Sequence, residues 1–210
     1  MAERLLRVRH GACERGGAGR LIGAGDAPLT AVGRAQARAL RSLLPDDAGT
    51  LFECSPRRRA RQTAQLALAG SGSEVRVDES LREIDFGAWE GLTFAEVARR
   101  DPEHVRRWAA WEPDFAFPGG ESLAGFVERV GEIAARLASA PARTVVAFTH
   151  AGVIQVLLCR LLGLSPGAHL AFGIRHASVA TVELRDGTGV LTGLVAAPAA
   201  GDSDGISCDG

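Results

Sequence analysis

The sequence holds 210 residues, 46% of them hydrophobic and 23% charged, with a formal net charge of −1. This is the composition of an ordinary globular chain of single-domain size, and it offers no overall field to attract nucleic acid. Lysine and tyrosine are both absent, which excludes Schiff-base chemistry, a Walker A loop and a tyrosine nucleophile.

The opening stretch, Met1 to His10, is too short and too charged for a signal peptide. Leu5 to Arg9 is an apolar run that predicts a first strand, and the glycine-rich stretch from Gly11 to Pro28 predicts a long loop. Leu29, Val32, Ala35, Ala39 and Leu43 recur at helical spacing and predict a helix over 29–44, stopped by Pro45. A second strand is expected over Thr50–Cys54. Ser55-Pro56 then reads as an N-cap followed by proline at the first helical position, opening a helix to about Ala69. A short strand over Val75–Val77 follows.

Between 85 and 120 the pattern changes to that of a small helical, cap-like insert. Thr93-Phe-Ala-Glu96 is a capping box, and Pro102 to Trp111 predicts a further helix. Leu123, Phe126, Val127, Val130, Ile133 and Leu137 share one face of a long helix. Thr144–Thr149 is a fully apolar strand suited to the centre of a parallel sheet. The surrounding apolar stretch, 145–164, is interrupted by His150, Gln155 and Arg160, which argues against a membrane span. A helix over 153–162, ended by Gly163, and strands over 178–184 and 190–195 complete the pattern.

Alternating strands and helices predict an α/β fold: a three-layer α/β/α arrangement with a mostly parallel central sheet. One domain is expected over 1–197, with a disordered tail over 198–210. Cys13, Cys54, Cys159 and Cys208 show neither C-x-x-C spacing nor Cys/His clusters, so a reducing cytoplasm fits better than a disulfide framework or a zinc site. Ligands in such folds bind beyond the carboxyl ends of strands. His10 and His150 each stand one step past a predicted strand, and His150 also precedes a helix whose first N–H groups suit a phosphate.

Six ordered blocks carry a resemblance across about residues 5–185. Arg9-His10-Gly11 comes first, followed by Arg20, Gly23 and Asp26-Ala-Pro-Leu-Thr30 with Gly33 and Gln36-Ala37. Then come Cys54-Ser-Pro-Arg-Arg-Arg59-Ala-Arg-Gln-Thr-Ala64, and Leu81-Arg-Glu83 with Phe86-Gly-Ala-Trp-Glu-Gly91. Pro118-Gly-Gly-Glu-Ser122 and Val145 to Val153 close the series. Together they resemble the histidine phosphatase (phosphoglycerate mutase-like) superfamily. The resemblance implies that His10 is the nucleophile and Glu83 the proton donor, with Arg9, Arg59 and His150 stabilising the transferred phosphoryl group. Ala151, Gly23, Arg20 and Cys13 are carried over as further phosphate or substrate contacts.

Phosphoryl transfer needs such a set: an in-line nucleophile, cations around the equatorial oxygens and a proton for the leaving group. Neutral imidazole is available near pH 7, and arginine supplies a rigid fork of donors. The resemblance implies no metal and no cofactor. The implied partner is a small phosphate ester, with no nucleic acid and no membrane; the oligomeric state is not readable.

Some positions depart from the family. Ala12 and Cys13 stand where it commonly has Glu followed by Thr or Ser, and Gly16 replaces an asparagine that touches phosphate. Phe86 occupies the place of a mutase tyrosine, and no lysine is present. The insert, with Trp108 and Trp111, looks closer to the α-ribazole and broad-specificity phosphatase branch than to the mutases. Phosphatase is therefore the expected function. The alternatives are a phosphoglycerate mutase-type phosphotransferase and a non-catalytic phosphate-binding module. Trp108, Trp111 and Phe115 could form a substrate lid or the insert's own core. Arg57, Arg58 and Arg61 read as a solvated helix face, Glu90 as structural, and Asp26 as ordering its loop. His104 and His169 read as surface or packing residues. His176 reads as a strand-starting residue that could edge the site.

Overall fold

The computed structural model describes residues 2–16, 19–185 and 188–197. Six strands form one sheet: β1 (Arg4–Arg9), β2 (Thr50–Cys54), β3 (Val75–Val77), β4 (Thr144–Thr149), β5 (Ser178–Arg185) and β6 (Thr188–Ala196), in the spatial order β3-β2-β4-β1-β5-β6. The first four run parallel, and β5 and β6 add an antiparallel edge on the far side of β1. β4 is buried along its whole length, as expected of a central parallel strand covered on both faces.

Side chains alternate across the sheet, so each face carries its own core. Leu5, Val145, Ala147 and Val182 face a layer containing α5 (Leu123–Ala138) and α6 (Ala151–Leu161). Leu6, Val8, Phe52, Val146 and Phe148 face Leu40, Ala64, Ala67 and Leu68, beside α1 (Ala31–Ala39) and α2 (Arg58–Ala67). The result is the expected three-layer α/β/α arrangement. Within the insert, α3 (Phe94–Arg100) begins with the Thr93–Glu96 capping box, and Asp101 caps α4 (Pro102–Ala109). Trp89, Trp108, Phe115 and Phe117 meet there, largely edge to face, at ring separations of 5.1–6.0 Å.

Several boundaries differ from those predicted. The helix over 29–44 starts two residues later at Ala31, because Thr30 caps it, and tightens to a 3-10 turn over Leu40–Leu43. Ser55 is not an N-cap: α2 begins at Arg58 after Arg57, while Asp26 Oδ1 accepts the Arg58 N–H at 2.6 Å. The Ser55 hydroxyl instead accepts the Arg57 N–H in a local turn at 3.3 Å and the His150 Nε2–H at 2.8 Å. α6 starts at Ala151 rather than 153, directly after His150. The 3-10 turn over Pro166–Ala171 has no apolar periodicity and was not predicted. The tail over 198–210 lies outside the described residues.

The start of α1 packs on the loop that follows β1 without room for a side chain. A Cβ on Gly33 would stand 1.9 Å from the Ala12 carbonyl oxygen, and one on Gly11 would stand 2.4 Å from the Gly33 oxygen. A helical Gly→Ala change ordinarily stabilises, by up to about 1 kcal/mol. Here both obstacles are backbone, so Gly33→Ala should instead destabilise by about 1–3 kcal/mol, as overpacking does. Thermal unfolding should show a midpoint at least ~2 °C lower; an unchanged or higher midpoint would contradict this packing.

Candidate active site

Parallel register brings the two histidines together. Arg9 pairs with Thr149, so β1 and β4 end side by side, and the His10 N–H donates to the Thr149 carbonyl at 3.1 Å. The rings of His10 and His150 lie 5.1 Å apart, edge to face. Between them Arg59, from the first turn of α2, places one N–H. Its Nε is 3.3 Å from His10 Nε2 and 3.2 Å from His150 Nδ1.

Because guanidinium only donates, these contacts settle both tautomers. His10 carries its proton on Nδ1, which donates to the Gly11 carbonyl at 2.7 Å, and leaves a lone pair on Nε2. His150 carries its proton on Nε2, which donates to Ser55 Oγ at 2.8 Å. Burial, then the Arg59 and Arg9 guanidiniums, hold His10 well below the ordinary 6.5. Burial, Arg59 and His10 do the same for His150. Both rings are neutral at pH 7.

The terminal nitrogens of Arg59 bind the loop, donating to the carbonyls of Gly25, Ile22 and Gly23. Thr63, one turn further along α2, accepts the Gly11 N–H and donates to the Arg59 carbonyl. Gln36 and Gln62 hold the same loop through the N–H groups of Ala12 and Leu29. Thus the blocks Gln36-Ala37 and Gln62-Thr63 supply scaffolding around the nucleophile's loop.

Glu83 arrives from a stretch anchored on both sides. Thr149 Oγ1 donates to the Leu81 carbonyl, and Arg129 reaches the carbonyls of Ser80 and Arg82. The Glu83 carboxyl, 7% exposed, accepts the N–H groups of Ile84 and Gly152, each at 3.1 Å. Burial pushes it above its ordinary 4.5, although these donors and both arginines pull the other way. A Cβ at Gly152 would stand 2.7 Å from Glu83 Oε1, so a side chain there would displace the carboxyl.

His10, Arg9, Glu83, Cys13 and Ala151 line one cavity of about 270 Å³. Arg59 and His150 are fully buried and outside the cavity lining, with Arg59 against the Nε2 side of His10. Arg20 also reaches the cavity, yet its guanidinium is turned to the Gly91 carbonyl and Glu96. The Gly23 N–H belongs to Glu90, whose carboxylate also gathers those of Ala24, Gly25 and Phe86. Neither Arg20 nor Gly23 therefore directs a donor at His10. Burial pushes the Cys13 thiol up. Trp108 and Trp111 line the cavity, whereas Phe115 is wholly in the core.

Sequence reasoning gave no part in the site to Ser55, which it read as a helix cap, nor to Thr63, Gly152 or Gln155, nor to His169 as a cavity residue. His169 stacks on Trp111 at 4.2 Å between centroids. Ser55, Thr63 and Gly152 lay inside quoted motif blocks, which was the available signal. Gln155 and His169 carried none, because only the fold brings their segments to the cavity.

The family model of the histidine phosphatase superfamily (branch 1) matches residues 5–196. The chain belongs to this superfamily. Its similarity to other members extends over nearly the whole fold. It is 37% identical over 185 residues to a bifunctional protein of Mycobacterium tuberculosis, covering 87% of this chain but 50% of that one. The chain thus spans about half the length of the first curated relatives it matches. It is 31% identical to phosphoserine phosphatase 1 of Hydrogenobacter thermophilus, covering 91% of each. A crystal structure of a putative α-ribazole-5'-P phosphatase from Escherichia coli superposes with a TM-score of 0.84 at 29% identity, covering 92% of this chain and 96% of that one. Among the described residues of this superfamily member, no helix is long and apolar enough to cross a membrane.

The buried neutral imidazoles set the direction of acid sensitivity. His10 and His150 bind protons in the unfolded chain below about pH 6.5 that the folded chain refuses, so stability is lost as pH falls below that value. Glu83 has the opposite sense: its raised folded pKa favours folding below 4.5, a contribution lost as pH rises through the folded value. The histidines dominate between pH 7 and 5, each contributing a slope of up to ~1.4 kcal/mol per pH unit. The thermal midpoint should fall over that interval, and His10→Gln should flatten the dependence. An equally steep profile in that variant would show that His10 is not held neutral.

Proposed function

We propose that this chain is a metal-independent phosphatase that hydrolyses a small phosphomonoester through a phosphohistidine on His10. The observation that carries the reading is the His10 tautomer. Its Nε2 lone pair is held among two guanidiniums and a neutral second imidazole, at a cavity that also presents a buried carboxyl. Attack requires Nε2 to exchange its contact with Arg59 for phosphorus. Arg59 Nε–H is then beside the phosphoryl oxygens, where arginine provides the charge that a metal ion provides elsewhere.

The N–P bond forms as the ester P–O bond breaks. The departing oxygen takes the Glu83 proton, and the positive charge gained by the ring is stabilised through Nδ1–H on the Gly11 carbonyl. Water then attacks phosphorus and gives a proton to the Glu83 carboxylate, while the N–P electron pair returns to Nε2. Both groups are restored.

The cavity favours an apolar, planar organic group. Beyond the His10 cluster its wall is mainly apolar and aromatic, with Leu21, Ile22, Phe86, Trp108 and Phe117, and its polar members there besides Arg20 are Gln155 and His169. Arg20 is the cation at this wall among the described residues, and Glu83 its carboxylate. An amino acid's ammonium would need a second carboxylate, so an α-ribazole-like or aryl phosphate fits better than phosphoserine. The same wall, without lysine or further arginines, does not suit the polyanionic substrates of a mutase. Cys13, Cys54 and Cys159 are unpaired buried thiols, which supports a reducing cytoplasm.

Labelled substrate should trap an acid-labile, base-stable phosphoprotein that disappears in His10→Ala, with turnover unaffected by chelation. Label that survives acid, or activity restored only by an added divalent ion, would refute this chemistry. Glu83→Gln cannot deliver a proton, and general acid catalysis contributes roughly 10²–10⁴-fold. Burst kinetics should therefore show phosphoenzyme formation slowed by that order with alkyl phosphates and only mildly with p-nitrophenyl phosphate. Equal slowing with both leaving groups would place the donor elsewhere.

A further inference from the structure

The segment from Ile174 to Ala177 holds both members of the Arg9-His10 pair. Arg9 Nη1 donates to the Ile174 carbonyl at 2.6 Å, and Arg9 Nη2 lies 3.1 Å from His176 Nε2. The Ala177 N–H donates to the His10 carbonyl at 3.1 Å. Ala177 adopts φ +52°, a left-handed conformation that a residue with a Cβ holds only when its surroundings enforce it. Those surroundings are visible. The Ala177 carbonyl accepts the Ala197 N–H, and the Ser178 hydroxyl and N–H both donate to the Arg175 carbonyl.

His176 is more than an edge residue in this arrangement. Its ring lies 5.6 Å from that of His10. Since Arg9 can only donate, His176 Nε2 must be the acceptor and its proton must sit on Nδ1. Burial and Arg9 push this imidazole down to about 4, so it remains an acceptor throughout the neutral range. With two nitrogens fixed on one short segment, the Arg9 guanidinium has a single orientation. Its remaining nitrogen, Nε, is buried and has no hydrogen-bond partner among the described residues.

We propose that His176 is a positioning residue for phosphoryl transfer, fixing the Arg9 guanidinium beside His10 so that this cation meets the transferring phosphoryl group in one orientation. The proposal rests on the reading of His10 as the phosphoryl carrier. His176 itself lines the cavity, but the effect assigned to it here passes through Arg9.

The test is a cycle of Arg9→Ala, His176→Ala and the double variant, with His176→Gln as the change that keeps an acceptor. Two readouts are needed: the rate of phosphoenzyme formation, and the affinity for orthovanadate followed by tryptophan fluorescence, since Trp108 lines the cavity. Small displacements of a positioned group can cost on the order of 10²-fold. His176→Ala should therefore slow phosphoenzyme formation and weaken vanadate roughly 10- to 100-fold with KM little changed. His176→Gln should recover most of the loss. In the Arg9→Ala background, removing His176 should add no more than about twofold, because coupled residues are non-additive.

Losses that multiply in the double variant would overturn the proposal, as would wild-type behaviour of His176→Ala. If His176→Ala does not fold, His176→Gln and His176→Leu carry the same comparison, and equal losses in both would overturn it. A wild-type protein that binds vanadate but forms no phosphoenzyme would count against His10 as carrier. The coupling of Arg9 to His176 would still be read in the vanadate affinities.

Discussion

A single N–H group, on Nε of the buried Arg59, is the contact on which the site depends. Shared between His10 and His150, it fixes both tautomers and faces a lone pair of each ring. The same guanidinium spends its other nitrogens on three carbonyls of the loop after β1. Hydrogen bonds from a charged donor contribute about 1.5–3 kcal/mol each, which offsets much of the cost of burying the cation. Lysine could not do this, because a point charge lacks the planar fork that reaches two rings and a loop at once. One side chain therefore sets protonation, geometry and loop position together.

The carboxylates are divided by the same logic. Glu90 accepts a run of backbone N–H groups from the loop and works as an anchor; Glu83 accepts two and stays buried at the cavity. Gly23 makes the arrangement possible, since a Cβ there would stand 1.9 Å from the Ile84 carbonyl oxygen. The loop that receives Arg59 and the stretch that carries Glu83 are thus in direct backbone contact. Nucleophile loop and proton donor share one mechanical frame.

Much of this was legible in the sequence, for identifiable reasons. β2, β3 and β4 fall where they were expected; for β4 the reason is plain, because a strand buried on both faces leaves a short unbroken apolar signal. Ser55-Pro56 misled because its local chemistry is that of a cap, whereas the fold turns the Ser55 hydroxyl to His150 and lets Asp26 take the Arg58 N–H at the helix start. His10, Arg59, Glu83 and His150 come from four separate segments. No periodicity links them, and the resemblance of ordered motifs was what brought them together. His176 was read only as a residue that could edge the site, and Gln155 escaped, because their meaning depends on where β5 begins and how the 166–171 turn folds back.

The adjacency of β1 and β4 has a consequence for how the molecule opens. His10 and His150 extend from neighbouring strands at the middle of the sheet, and the His10 amide is bonded across the boundary to Thr149. Local fluctuations release edges and loops first, whereas central ladders part only when the whole sheet does. Hydrogen exchange at the His10 amide should therefore report global unfolding, while amides of the loop before Pro28 exchange through smaller openings. The backbone positions of the two histidines would therefore be held until the central ladder itself parts.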